Sequence, residues 1–237
     1  MWSTIYIAIV TCLSVPCYIV EARPTHPDSG GCMVQKRDFA YEVITIQDGY
    51  SFEDPNGNFA ADGSITLLLG NLTILVDSGG PNDVSYLLAA LEFHGVGPSN
   101  VDIVVGTHGH SDHVGNLNLF PRAKFIVNND INERNVYYYH NFSAGPYTLD
   151  SNVEVMGTPG HSGADVSVLV KNTQLGTVLV AGDLFESGKD LSDPSLWRAV
   201  SLLPDTQEKS RNAVLALPLD YIVPGHGPMF KPPKQEL

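Results

Sequence analysis

The sequence predicts one α/β domain, and three observations carry that expectation. Short β-branched and aliphatic runs recur between Gly, Asn and Asp turn signals; two intervening segments space their apolar residues three and four apart; and the order of strands followed by helix repeats in each half of the chain. That repetition implies a two-layer sheet core covered on both sides. A chain of 237 residues with 43% hydrophobic content can fill one such core and is too short for two full catalytic domains.

The elements follow in order. Residues 5–20 form an apolar run broken by Thr11, Ser14 and Pro16, and Val20-Glu21-Ala22 offers small residues for a peptidase. Residues 1–22 therefore read as a cleaved secretory signal, although no Lys or Arg precedes the run, and the interruptions argue against a stable transmembrane span. Residues 23–38, rich in Pro, Gly, Ser and charge without periodicity, read as a flexible linker, and 39–237 as the folded domain. Loss of the signal removes Cys12 and Cys17 and leaves Cys32 alone, so no internal disulfide is expected, and a secreted or endomembrane product would make Asn71 and Asn141 glycosylation candidates.

Runs at 41–47, 64–69 and 73–76 predict an opening antiparallel sheet. Asn82 is placed as an N-cap for a helix with Val84, Leu87, Leu88 and Leu91 on one face and Gly95 as its left-handed terminator. A strand at 101–105 comes next. Further strands are expected at 124–127, 153–156, 166–170, 177–180 and 221–223, with 128–150 as a long loop over the site and the Tyr-rich part at 137–147 shaping an apolar pocket. Asp205 and Glu208 resemble a capping box opening a helix that carries Ala213, Val214 and Leu217.

Function is written in the turns that follow the strands. His108, His110, Asp112 and His113 fall within six residues directly after the 101–105 run, and His161, Asp183 and His226 each follow a later strand in a turn rich in Gly or Pro. Such turns put side chains at one rim of the sheets. Imidazole suits Zn or Fe and a carboxylate can join two cations, so five His and two Asp make a sensible ligand set for a pair of divalent transition metals. Such a pair holds a hydroxide nucleophile at neutral pH and polarises the bond it attacks, which is hydrolysis in outline. The bland alternative is a surface turn with fortuitous histidines; His26, His94 and His140, which belong to no such element, are read as structural or exposed. A net charge of −13 excludes a broad basic nucleic-acid surface, so a polyanionic substrate would have to be held locally, by the cations themselves.

With these residues in view, the chain resembles the metallo-β-lactamase superfamily, whose His-x-His-x-Asp-His signature is matched at 108–113 and whose later His, Asp and His are matched by His161, Asp183 and His226. The resemblance implies a four-layer αβ/βα sandwich. It implies that His108, His110 and His161 hold one metal, that Asp112, His113 and His226 hold the other, and that Asp183 bridges them. The metals would be Zn foremost, with Fe or Mn also accepting these ligands. Asp112 would also orient the nucleophile or accept its proton, and Asp77, in Val76-Asp77-Ser78-Gly79-Gly80, would support the histidine turn from behind. The stretches 61–64, 105–113, 116–117, 119–121, 165–168, 181–183 and 223–228 resemble in particular one branch of the superfamily, within the glyoxalase II-like family. That branch implies an endoribonuclease acting in 3′-end processing of histone pre-mRNA, in a homodimer of the cytosol and nucleus. The N-terminal segment implies secretion instead. It suits a second expectation, a hydrolase of small thioester, lactone or β-lactam substrates, and a non-catalytic binding protein is the third; the complete ligand set argues against the last.

Overall fold

The computed structural model describes residues 38–233, so the predicted signal segment, all but the last residue of the predicted linker, Cys32 and His26 lie outside the described residues. Among the described residues there are fourteen strands, β1 (Glu42–Gln47), β2 (Tyr50–Glu53), β3 (Phe59–Asp62), β4 (Ile65–Leu69), β5 (Thr73–Val76), β6 (Ile103–Gly106), β7 (Lys124–Val127), β8 (Asp130–Glu133), β9 (Val136–Tyr138), β10 (Tyr147–Thr148), β11 (Val153–Gly157), β12 (Val166–Thr173), β13 (Gly176–Gly182) and β14 (Tyr221–Pro224). Helices are α1 (Val84–Phe93), α2 (Ser111–Val114), α3 (Ser195–Arg198) and α4 (Pro204–Leu215). Among the described residues no helix is long and apolar enough to cross a membrane.

Seven strands form one sheet in the order β1-β4-β5-β6-β7-β8-β9, five form a second in the order β10-β11-β12-β13-β14, and β2-β3 is a separate hairpin. The β5-β6, β6-β7 and β13-β14 pairs are parallel; the rest are antiparallel. Alternation along the strands produces the layers. Leu68, Ile74, Val76, Ile103 and Val105 of the first sheet meet Val168, Val170, Val178, Val180 and Val223 of the second in one buried core. The intervening residues Leu67, Leu75 and Val104 face outward and pack under Leu87 and Leu91 of α1. On the other side Leu169, Leu179, Ala181 and Ile222 pack under Val214 of α4. Both faces of each sheet are thus covered, which is why these strands read as continuous apolar runs, and the layering is the αβ/βα sandwich the resemblance implied.

Several local expectations need correction. Asp83 rather than Asn82 stands at the N-cap of α1, and it makes no side-chain cap bond because its Oδ2 accepts the Gly80 N–H at 2.6 Å. The other end is as expected: Gly95 has φ +72° and the Gly95 and Val96 N–H groups donate to the Glu92 and Leu91 carbonyls, a Schellman closure. Asp205 and Glu208 form no capping box. Leu203 is the N-cap of α4 and Pro204 its first residue, while the two acids face Arg198, with Glu208 Oε2 2.6 Å from Arg198 Nη2. The segment 128–150 is not one long loop, since β8 and β9 extend the first sheet as a hairpin and β10 edges the second. Its Tyr-rich part lines a cavity of about 780 Å³ with Tyr137, Tyr138 and Phe142, but that cavity is not the apolar pocket expected, because Asp130, Asn141, Ser143 and Asp165 share its lining.

Candidate metal centre

Strand polarity places the site. β5, β6, β13 and β14 all end at the same rim, and the chain leaves each of them carrying a polar residue inward. After β6 it turns through Thr107 and presents His108 and His110, and the single turn of α2 then adds Asp112 and His113. The turn is held from the neighbouring strand by Asp77, one residue past β5 in a positive-φ conformation (φ 59°) that Asp tolerates. The Asp77 carboxylate accepts the Thr107 N–H at 2.7 Å and the Thr107 hydroxyl at 2.9 Å, and lies 2.8 Å from His113 Nδ1.

The second sheet contributes residues singly. His161 lies beyond β11, in a turn whose Gly160, Ser162 and Gly163 N–H groups all donate to the Asp165 carboxylate. Asp183 and His226 follow the adjacent strands β13 and β14. Gly225 is required by their closeness: a Cβ there would lie 1.8 Å from Asp183 Oδ1. From behind, α4 braces both turns, with the Gln207 amide donating to the Asp183 carbonyl at 2.8 Å, Ser210 to the Pro159 carbonyl at 2.8 Å and Arg211 to the Leu184 carbonyl at 2.7 Å.

All seven predicted ligand residues come together. His110 Nδ1 lies 2.9 Å from His108 Nε2 and 3.1 Å from His161 Nε2. Asp183 Oδ2 lies 3.2 Å from His161 Nε2, 3.3 Å from His226 Nε2 and 3.5 Å from His108 Nε2, while its Oδ1 is 3.1 Å from His113 Nε2. Asp112 Oδ2 completes a second group, 3.7 Å from His226 Nε2 and 3.8 Å from His113 Nε2. Within each of the sets His108, His110, His161, Asp183 and Asp112, His113, His226, the ligand atoms lie within 4.8 Å of one another. The carboxylate of Asp183 touches both.

Proton bookkeeping shows that cations fit. His113 Nδ1 faces the Asp77 carboxylate, His226 Nδ1 faces the carbonyls of Asp62 and Tyr50 at 2.9 and 3.1 Å, and His108 Nδ1 faces the Thr107 hydroxyl at 3.2 Å. Those partners place the ring proton on Nδ1 and leave a bare lone pair on each Nε2. Lone pairs therefore converge on Asp183, and His113 Nε2 and Asp183 Oδ1, buried and close, make no hydrogen bond. Acceptors packed against acceptors are unfavourable unless a proton or a metal ion lies among them.

Without a metal, protons take that place. Burial opposes charge on His226, but the hydrogen bond and charge of Asp183 win and raise its pKa to about 9. His113 is likewise raised, Asp183 and Asp77 outweighing burial, whereas burial and the surrounding rings hold His108 well below the usual imidazole value. For Asp183, burial is outweighed by His113 and His108, which keep it ionised well below the ordinary carboxylate range. Metal ions binding here would displace those protons.

Sequence reasoning missed two parts of the site. The β2-β3 hairpin, whose carbonyls orient His226, has strands of only four residues each, and its aromatic side chains Tyr50, Phe52 and Phe59 are exposed, so no buried face marks it. Glu186, buried beside His161 and His226, carries no local signal beyond lying three residues after Asp183. His94 stands at the C-cap of α1 and His140 faces the Gly145 carbonyl, so neither joins the site.

Comparison with known proteins agrees with this geometry. Residues 60–146, which include the whole histidine turn, match the family described as Metallo-beta-lactamase superfamily. The chain is 48% identical over 194 residues to metallo-beta-lactamase domain-containing protein 1 of Xenopus laevis, covering 81% of this chain and 82% of that protein, and 42% identical over 222 residues to the human protein of the same name, with the same coverage. Among solved structures, a Thermotoga maritima metallo-beta-lactamase superposes with a TM-score of 0.61 at 21% identity, over 81% of this chain and 100% of that one, a likeness of fold. Fold, ligand geometry and a relative spanning most of both chains lead to one conclusion: this chain belongs to the metallo-β-lactamase superfamily, as a hydrolase with a His/Asp metal site.

Proposed function

We propose that the chain is a two-metal phosphodiester hydrolase acting on RNA, the reading that its resemblance to the endoribonuclease branch implies. The observation that carries the two-metal part is the Asp183 carboxylate, within 3.5 Å of imidazole nitrogens from both ligand sets. His108, His110 and His161 would hold one cation, Asp112, His113 and His226 the other, and Asp183 would serve both; Zn suits this set best. Bound cations would activate water at neutral pH and offset charge developing on the phosphate. Substrate charge would be met mainly at the centre itself, because 26 Asp and Glu outnumber 13 Lys and Arg, and Lys124, Lys171, Arg198 and Arg211 are already engaged by Glu133, by Glu154, by Asp205 and Glu208, and by Asp190.

The chain's own residues do the rest. Asp77 holds the histidine turn and the His113 tautomer, and the carbonyls of Tyr50 and Asp62 hold His226. Asp112, a quarter exposed where Asp183, His113 and His226 are buried, is the ligand carboxylate with solvent access, placed to take or orient a proton from the attacking water. A second reading, hydrolysis of small uncharged esters, thioesters or lactones, is favoured by apolar side chains on two segments that touch the site. Phe52 and Phe59 are exposed on the hairpin that orients His226, and Leu202, also exposed, donates its N–H to the His161 carbonyl.

The test is a side-by-side assay of purified protein on a short RNA, bis(p-nitrophenyl) phosphate, a thioester and a lactone, with metal analysis. Cleavage of RNA and of the phosphodiester, with two metal equivalents bound, is expected. Turnover of the thioester or lactone alone would establish the second reading. His110→Ala should abolish turnover and leave a folded protein, because His110 is an exposed ligand position; unchanged turnover would remove it from the centre.

A further inference from the structure

Four rings of the centre have an obvious arrangement. His108, His113 and His226 each turn one nitrogen to a hydroxyl, a carboxylate or carbonyls and the other to the cluster, and exposed His110 offers Nδ1. His161 differs. Its Nε2 faces Asp183 and His110, yet its Nδ1 is buried and without a hydrogen-bond partner. Within 4 Å of that nitrogen lies one carboxylate, Glu186, whose Oε1 is 3.5 Å away and is itself buried and unpartnered. Two unmet polar groups facing one another in a dry place are a hydrogen bond in waiting, since leaving both unmet costs more than a small rotation.

We propose that Glu186 is a positioning residue for the metal centre: its carboxyl accepts the His161 Nδ1–H, fixes that tautomer and ring plane, and so aims the Nε2 lone pair at the cation shared with His108 and His110. The main chain on either side is anchored for this. The Glu186 N–H donates to Asp190 Oδ2 at 2.8 Å, and the Glu186 carbonyl accepts the His226 N–H at 2.8 Å. Asp190 is held in turn by Arg211 at 3.1 Å, whose guanidinium lies 4.1 and 4.7 Å from the ring centres of Phe185 and Trp197. One buried chain therefore runs from α4 through Asp190 and Glu186 to His161. Partners of this kind, behind a ligating imidazole, raise its basicity and are worth roughly 10–100-fold in metal affinity.

The assignment rests on the two-metal reading, and the test separates them. Wild type, Glu186→Gln and Glu186→Leu are titrated with Co(II) alone, following the visible absorption of the bound ion, and metal-free unfolding is measured beside it. The Gln variant keeps an acceptor oxygen and is expected to bind two equivalents with near wild-type affinity and spectrum. The Leu variant is expected to lose about 10–100-fold in affinity for one equivalent and to change its spectrum, with the other equivalent retained. Two full equivalents at wild-type affinity in the Leu variant, or equal damage from Gln and Leu, would overturn the positioning role. If the Leu variant does not fold, the imidazole nitrogen shifts of His161 in metal-free wild type decide: a proton on Nδ1 supports the assignment and a proton on Nε2 overturns it. A wild-type protein that binds no Co(II) would overturn the metal centre itself, and this role with it.

Discussion

The two ends of the same strands use aspartate in opposite ways. At the end where β5, β6, β13 and β14 begin, the carboxylates have donors to themselves: exposed Asp102 accepts the Thr73 N–H, exposed Asp220 the Thr177 N–H, and half-buried Asp150 the Tyr41 hydroxyl with the N–H groups of Asn152 and Val153. At the end where those strands finish, Asp183 is ringed by imidazole nitrogens with bare lone pairs. Residue type is alike; what differs is burial, which is deep only for Asp183, and whether the neighbours bring protons. Satisfied carboxylates stabilise a fold, and a carboxylate surrounded by other acceptors is built for a cation.

The largest effect expected from breaking this contrast comes at Asp183. Asp183→Asn removes the negative charge that both ligand sets share, so metal analysis should find both equivalents lost or strongly weakened and turnover at background. Retention of two tightly held equivalents would show that the sets act independently. His110→Ala, by comparison, should cost only the set to which His110 belongs.

How much of this could be read from the letters follows the same geometry. His108, His110, Asp112 and His113 arise from one turn and a short helix, so their proximity in space is nearly their proximity in sequence, and local reading finds them. His161, Asp183 and His226 converge only because β11, β13 and β14 lie in one sheet, and sequence places each at a strand end without saying that the ends meet. The family resemblance supplied that step. Glu186 and the carbonyls of Tyr50 and Asp62 were illegible because their roles depend on contacts across as many as 176 residues of chain and on no residue pattern. The misread cap at Asn82 and capping box at Asp205 fail for a simpler reason: polar side chains near helix starts have several competing partners, and here the cap falls one residue later, at Asp83, whose carboxylate Gly80 took, while Arg198 took Asp205 and Glu208.

Asp77 lies between the two extremes, a carboxylate at the ligand rim that is fully supplied with donors. It should therefore behave as both kinds at once. Asp77→Asn turns an amide NH₂ toward at least one of the Thr107 N–H, the Thr107 hydroxyl and the His113 ring N–H, all buried. A stability loss of about 3 kcal/mol is expected from breaking this buried network, together with a fall of roughly 10–100-fold in metal affinity as His113 loses its orientation. Denaturant unfolding of the metal-free protein measures the first and competitive titration the second. A change in only one would place Asp77 wholly on one side of the contrast.

The smallest effect is expected at the far end. Tyr41 is fully buried, its hydroxyl donates to Asp150 at 2.5 Å and accepts the Leu72 N–H at 3.1 Å, and burial with the Asp150 hydrogen bond pushes its pKa above the ordinary phenol value. Tyr41→Phe keeps the ring in the inter-sheet core and deletes those bonds, leaving the Leu72 N–H without its acceptor while Asp150 keeps its two backbone donors. The cost should be about 1–2 kcal/mol, read as a lower denaturant midpoint at unchanged slope, with metal content and turnover at wild-type levels. Because Tyr41 and the ligand turns sit at opposite ends of the strands, any loss of metal in this variant would mean that the two ends are coupled through the sheets. The site would then depend on the packing of the whole sandwich as well as on the rim that carries it.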